Sequence, residues 1–99
     1  MNRDDWLKQS DRDSHDPGLL IARRGSWVHL RSSNVESIRY LMKVGELRVR
    51  FLDHGYGASD YAYYNVPVNV FLDFMVASSP GRFVWRVLRG GAYEYRKLS

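Results

Sequence analysis

The stretch that decides the fold is Tyr61-Ala62-Tyr63-Tyr64-Asn65-Val66-Pro67, which runs on through Val68 to Ala77 and into Ser79-Pro80-Gly81-Arg82-Phe83. Side chains of an extended strand alternate between its two faces, so Tyr61 and Tyr63 are predicted to share one face. Pro67 ends the strand because it has no N–H to donate. It suits the first position of a helix, where Asn65 can satisfy free amides.

The residues after Pro67 are almost entirely apolar. On a helix over residues 68–77, only Asn69 and Asp73 form a polar edge. Such a helix needs cover around most of its circumference, and a sheet covers one side only. The remaining cover must come from a second helix, from the N-terminal segment or from another chain.

Two earlier segments alternate as strands do. Residues 35–42 place Ile38, Tyr40 and Met42 on one face and Ser37, Arg39 and Leu41 on the other. After a turn at residues 43–46, the run Leu47-Arg48-Val49-Arg50-Phe51 alternates most cleanly, with its arginines pointing outward. With the glycine-rich turn at residues 53–59 and the tyrosine strand, these segments predict a three-stranded antiparallel meander.

A second helix is predicted over Arg82–Arg89, between the breaker at residues 79–81 and Gly90-Gly91. Its projection puts Phe83, Val84, Val87 and Leu88 on one arc and clusters Arg82, Arg86 and Arg89 on the opposite side, with Trp85 at the rim. The alternating tail over residues 92–98 predicts a fourth strand. The expected fold is therefore α+β: a three-stranded antiparallel meander, two short helices and a C-terminal strand.

The first thirty-one residues are an addition to this pattern. Residues 1–17 are polar and predict an N-terminal arm, whereas residues 18–31 contain two short apolar runs about a glycine, which predicts an added β-hairpin. Trp6, with Leu7, either packs back on its own domain or docks on a partner. Trp27 is a second candidate for partner docking.

Composition limits the classes of function. The 99 residues suffice for one domain, and the absence of cysteine excludes thiolate catalysis and disulfides and fits a reducing cytosol. Residues 1–17 carry a net charge of −2, but residues 18–99 carry +6, and twelve of the fifteen cations are arginine. Guanidinium groups favour bidentate contacts with phosphate or carboxylate. A nucleic acid or an acidic protein surface fits this charge.

The sequence contains no convincing catalytic or metal-binding motif. His15, His29 and His54 lack metal-ligand spacing. Asp53-His54 and Ser78 or Ser79 are the residue types of a hydrolase triad, but nothing in the sequence places them within hydrogen-bonding distance of one another. The N-terminus lacks the apolar run of a signal peptide, and the longest uncharged stretch has twelve residues, too few for a membrane span. We expect a non-enzymatic protein without cofactor, metal or small-molecule substrate, located in the cytoplasm or in a virion.

A pattern of residues runs in order through residues 32–98 and consists of Ser32-Ser33-Asn34-Val35, Ile38, Tyr40, Leu47, Val49, Phe51, Tyr61, Tyr63, Val66-Pro67, Phe71, Ala77, Ser79, Gly81, Phe83 and Tyr93. This pattern resembles the KTSC domain, a family named after the C-terminus of some lysyl-tRNA synthetases and similar to many small bacterial and phage proteins. The family's function is not established, and the synthetase context implies RNA binding. This chain departs from the pattern in its longer glycine-rich turn and in residues 1–31.

The first hypothesis is RNA binding by an arginine and aromatic surface. Arg39, Arg48 and Arg50 project from one sheet face. If Tyr61 and Tyr63, or alternatively Tyr64, share that face, they form a stacking platform. If these tyrosines belong to the core instead, only Arg82, Arg86 and Arg89 on the second helix remain to hold phosphates. Glu36 and Glu46 compete for the same arginines.

The second hypothesis is protein assembly. An apolar helix, a tryptophan-bearing acidic arm and an arginine-rich body suit a protein that packs against a partner or against copies of itself, such as a minor component of a phage particle.

Overall fold

The computed structural model describes residues 17–52, 58–91 and 93–99, and these residues form one sheet and a layer of helices. Helix α1 spans Pro17–Arg24 and α2 spans Val68–Met75. Helix α3 begins as Pro80–Phe83 and continues as a π-helix over Val84–Arg89. The strands are β1 (Val28–His29), β2 (Val35–Leu41), β3 (Glu46–Leu52), β4 (Ala58–Tyr63) and β5 (Tyr95–Lys97).

The strands lie in chain order, β1-β2-β3-β4-β5, and every neighbouring pair is antiparallel. Val49 is the partner of both Ile38 on β2 and Tyr61 on β4, while Leu47 is the partner of Tyr40 and Tyr63. A register shift between Val35 and Ser37 marks a bulge in β2. The predicted meander is confirmed, and it is flanked by a short strand on each side.

The core lies between one face of the sheet, here called the inner face, and the three helices. Leu47, Val49 and Ile38 on the strands are fully buried, as are Phe71 and Phe74 on α2. The cluster of buried residues also takes in Val84 and Leu88 of α3 and Ala22 of α1. All three helices therefore cover the same sheet face, which confirms the predicted α+β class. No helix of the described ranges lies on the opposite face, here called the open face.

The prediction of a hairpin in residues 18–31 is wrong in its first half. The run Leu19–Ala22 lies in α1, and only Val28–His29 is a strand, paired with Ile38 and Ser37 on the edge of the sheet. Helix α1 packs against β2 and α2. It thereby supplies part of the second cover that the apolar helix requires.

The passage from β4 into α2 follows the prediction in position but not in its capping. Pro67 lies just before the helix as its N-cap residue, with an extended backbone (φ −63°, ψ 150°), rather than at the first helical position. No side chain caps the helix there. Asn65 instead adopts a left-handed backbone (φ 56°), a conformation that asparagine tolerates better than most residues and that turns the chain.

The end of α3 explains the pair of glycines. The Gly90 amide donates to the Trp85 carbonyl at 3.1 Å, a bond five residues back that defines a π-turn. A Cβ at Gly91 would overlap the Val87 carbonyl oxygen. Only glycine allows the chain to leave the helix this closely and return toward β5.

None of the helices in the described ranges is both long and apolar enough to span a membrane.

Candidate nucleic-acid interface

The residues predicted to bind nucleic acid do not form one surface. The register places Arg39, Arg48 and Arg50 on the open face of the sheet. Tyr61 and Tyr63 lie on the inner face, because they are the partners of Val49 and Leu47. The remaining residues belong to α3, which packs on the inner side, so the sheet separates them from the open face: Arg82, Trp85, Arg86 and Arg89.

A row of guanidiniums crosses the open face. Arg39 is the partner of Arg48, Arg48 is the partner of Ala62, and Ala62 is the partner of Arg96 on β5. Ala62 has no exposed surface although none of the described helices lies on this face, and its strand partners Arg48 and Arg96 have apolar stems of the kind that cover a small neighbour. Arg96 was not among the predicted site residues, because its place in the row follows only from the pairing of β5 with β4.

Two of the open-face arginines are held by carboxylates of the same face. Arg50 donates from Nε and Nη2 to both carboxylate oxygens of Asp60, at 2.7 and 3.0 Å. Arg48 donates from Nε to Glu46 at 2.7 Å. Within the described residues Arg39 and Arg96 form no salt bridge. Glu46 was predicted as a competitor, but Asp60 rather than Glu36 binds Arg50.

The bidentate bond from Arg50, together with its charge, lowers the pKa of the Asp60 carboxyl below its ordinary value of 3.8. A carboxyl whose pKa is lower in the folded chain than in the unfolded one adds stability above the unfolded pKa. That stability is lost as the pH falls through the folded pKa. The pair therefore contributes at neutral pH and ceases to contribute in acid.

Asp60→Asn should lower the free energy of unfolding at neutral pH by about 0.5–1 kcal/mol, as expected for a partly exposed pair. The difference from the wild type should start to shrink near pH 3.8, where the carboxyl of the unfolded chain becomes protonated, and should vanish as the pH falls through the lowered pKa of the folded chain. Urea titrations at several pH values measure this, with Asp73→Asn on the exposed side of α2 as the matched control. A deficit that stays constant into acid would contradict the assignment.

Trp27, predicted as a docking residue, lies on the open face beneath two arginines. The guanidinium carbon of Arg50 is 4.4 Å from the centroid of the indole and that of Arg39 is 5.5 Å away. The indole is half-buried. Two cations of its own chain therefore lie within cation–π distance of the ring, and its role in partner docking stays a prediction.

The tyrosine platform is not on the surface. Tyr63 is fully buried, and Tyr61 is half-buried against Phe51, with ring centroids 5.4 Å apart. Burial raises the pKa of the Tyr63 hydroxyl, and the nearby Arg89 guanidinium opposes that rise. Within the described residues no well-formed hydrogen bond reaches this hydroxyl. Both tyrosines therefore lie on the core side of the sheet, Tyr63 within the core and Tyr61 packed against it, and neither shares a face with the open-face arginines.

The surface of α3 matches its predicted projection. Val84 and Leu88 are buried, while Arg82, Trp85, Arg86 and Arg89 are exposed; we call these four residues the α3 patch. The indole of Trp85 is 67% exposed, and the Arg89 guanidinium carbon lies 4.8 Å from its centroid. The arrangement leaves an aromatic ring open to solvent beside three cations.

The α3 patch lies between two clefts. Trp85 and Arg89 line a cleft of about 180 Å³ with Asn34 and Phe51. Arg82 and Arg86 line a groove of about 350 Å³ between α2 and α3, which also contains Asp73. Among the described residues no arginine of the patch forms a salt bridge. Within these residues the patch has no carboxylate partner, and Arg89 lies close to the Tyr63 hydroxyl.

Several predicted residues lie outside the described part of the chain, namely Trp6, Leu7, His15 and His54. Within the described part, no three histidine, aspartate or glutamate side chains cluster as metal ligands would. The prediction that the protein uses no metal stays a prediction.

Comparison with known proteins identifies one family. The KTSC domain family model matches residues 31–96. A crystal structure of a KTSC domain protein from Yersinia pestis is similar with a TM-score of 0.65 and 31% sequence identity, over 75% of this chain and 97% of that one. No protein with a curated description matches the chain. The matched region begins one residue before the resemblance seen in the sequence and excludes α1 and β1.

Proposed function

The chain belongs to the KTSC domain family, and we propose that it is a non-enzymatic module that binds single-stranded RNA through the α3 patch. The observation that carries this proposal is the exposed indole of Trp85 among the guanidiniums of Arg82, Arg86 and Arg89, which form no salt bridge within the described residues. Indoles stack on nucleobases and guanidiniums hold phosphates, which together are the usual means of binding a single strand.

The geometry of Trp85 supports a stacking role. One ring face is engaged by Arg89 at 4.8 Å, which leaves the other face for a base. A base, an indole and a guanidinium in one stack combine stacking with a cation–π contact. The adjacent cleft beside Asn34 gives the base edge a polar neighbour. Arg82 and Arg86 lie on the side of α3 that lines the groove between α2 and α3. The backbone phosphates of the RNA strand would lie there.

Trp85→Ala should weaken binding of a mixed-sequence single-stranded RNA by roughly 5- to 150-fold, because one stacked base contributes about 1–3 kcal/mol. Fluorescence anisotropy of a labelled oligonucleotide at low salt measures the change. Single-stranded DNA and duplex RNA of the same length test whether the strand must be RNA and unpaired.

Trp85→Phe is the matched control, since phenylalanine keeps a stacking face at the same position, and it should retain most of the affinity. The indole is exposed, so neither variant should alter the free energy of unfolding by more than about 0.5 kcal/mol. Wild-type affinity in Trp85→Ala would overturn the assignment of the stacking residue. A wild-type protein that does not bind the oligonucleotide at low salt would overturn the proposed function.

Protein assembly is the second candidate, and an apolar groove favours it. Val76, at the end of α2, is 81% exposed. With Pro17, Gly18, Leu72 and Met75 it lines a groove of about 370 Å³. A groove of this kind suits a second copy of the chain or another protein, as in a phage particle or other oligomer.

Light scattering on the full chain and on Val76→Asp tests assembly. Self-association predicts a mass above the 11.6 kDa of one chain in the wild type and a shift toward it in the variant. A wild-type mass equal to one chain over the whole concentration range would count against self-assembly. Equal masses above that of one chain in both proteins would show that the copies contact each other outside the groove.

A further inference from the structure

A second cationic site lies away from the α3 patch, where the C-terminal end of α1 meets the turn between β2 and β3. A cleft of about 190 Å³ is lined there by Arg23 and Arg24 of α1, Arg39 of β2 and Lys43 of the turn, together with Gly25 and residues 40–42. None of its lining residues is acidic. We propose that this cleft binds a phosphate group, either free or as a phosphate monoester.

The cations that line the cleft have no carboxylate partner among the described residues. The two salt bridges of the described chain use Arg48 and Arg50, and neither involves a lining residue. Like charges a few ångströms apart repel each other by about 1–4 kcal/mol between the dielectric of water and that of a protein surface. An anion among the four cations turns this repulsion into attraction. The arrangement therefore favours a ligand with more than one negative charge.

Helix stabilisation accounts for only part of the cluster. Arg23 and Arg24 lie in the last turn of α1, where cations interact favourably with the helix dipole. Arg39 and Lys43 come from the strand and from the turn after it, so the dipole of α1 gives no reason for their presence. Three separate elements bring cations to one cleft.

Arg39 is fixed in place before any ligand arrives. Its guanidinium carbon lies 5.5 Å from the centroid of Trp27. Its Nη2 atom lies 3.6 Å from the position that a Cβ at Gly25 would take, and Gly25 is in the left-handed region (φ +65°), which glycine adopts without strain. Its Nε atom is buried and lacks a hydrogen-bond partner among the described residues. A guanidinium held in this way loses little conformational freedom on binding.

The size of the cleft fits the proposed ligand. At about 30 Å³ of liquid volume per water molecule, 190 Å³ holds a phosphate group with a few waters or with the first atoms of an ester substituent. The planar forks of the arginines match phosphate oxygens bidentately, while Lys43 supplies a compact charge.

Titration of the full chain with inorganic phosphate at constant ionic strength, followed by amide NMR, tests the proposal. The amide signals of Gly25 and Lys43 should shift along a saturable curve, and acetate at the same concentration should not produce these shifts. A nucleoside monophosphate that binds at least tenfold more tightly than inorganic phosphate would identify the ester as the better ligand. Equal affinities would identify free phosphate. Either result supports a phosphate cleft.

Arg39→Gln should weaken phosphate binding at least tenfold. Because Arg39 also contacts Trp27, the double variant Arg24→Gln with Lys43→Gln, both at exposed positions, gives a second test that does not disturb the open face. Arg31→Gln, at an exposed position outside the cleft, is the matched control and should leave the affinity unchanged. Linear shifts without saturation, or equal losses in the control, would overturn the proposal. Because the titration contains no RNA, its outcome is independent of the proposed function.

Discussion

Phe71→Ala should lower the free energy of unfolding by about 3–5 kcal/mol, a large part of the stability of a domain of this size. Phe71 is fully buried on α2, and its ring stacks on Tyr40 of β2 with centroids 5.5 Å apart. Its removal leaves a cavity between the helix and the sheet that the surrounding backbone closes only in part. Urea denaturation measures the loss as a lower midpoint at an unchanged slope.

Two control variants make this prediction specific to burial. Phe71→Leu keeps most of the volume and should cost about 1.5 kcal/mol or less. Val76→Ala, at the exposed end of the same helix, should change the stability by no more than about 0.5 kcal/mol. If Phe71→Ala cost as little as Val76→Ala, α2 would not be packed on the inner face of the sheet, and the predicted packing of the apolar helix would be wrong with it.

The sequence predicted the central strands well because their alternation leaves little choice. Leu47, Val49 and Phe51 alternate with arginines, and a shift of one residue would bury two guanidiniums. The mistaken strand at residues 19–22 has a different origin, since four apolar residues fit a helix as well as a strand. Signals for a helix were present in the Pro17 at the first helical position, in the cations Arg23 and Arg24 of the last turn and in Gly25 after it.

The face of the tyrosine strand could also have been predicted. Tyr61 and Tyr63 suit either face, because a phenol ring packs in a core and also stacks on a surface. Asp60 and Ala62 alternate with the tyrosines and therefore lie on the opposite face of the strand. Because a charged residue faces away from the core and can reach a cation on the neighbouring strand, Asp60 places the tyrosines on the inner face. The pairing of Asp60 with Arg50 shows that it does. The π-helix of α3 had no comparable sequence signal, because the helical projection places the α3 patch outward with either hydrogen-bonding pattern.

The largest effect on function is expected from replacing Arg82, Arg86 and Arg89 of the α3 patch together by glutamine. Each guanidinium–phosphate bond contributes about 1.5 kcal/mol or more, so single-stranded RNA should bind on the order of a thousandfold more weakly at low salt. The salt dependence should change as well. With three fewer phosphate contacts, the slope of log K against log salt should become shallower by about 2, because each contact to a single strand contributes about 0.7.

The arginines of the open-face row provide a control of equal charge for the triple variant of the α3 patch. Arg39, Arg48 and Arg96 replaced by glutamine remove the same three charges from the other side of the sheet. If net charge alone drove binding, both triple variants would lose the same affinity. If the open face were the interface, its variant would lose more. We expect the α3 variant to lose far more, because Trp85 is free to stack beside its arginines whereas Trp27 is engaged by Arg39 and Arg50.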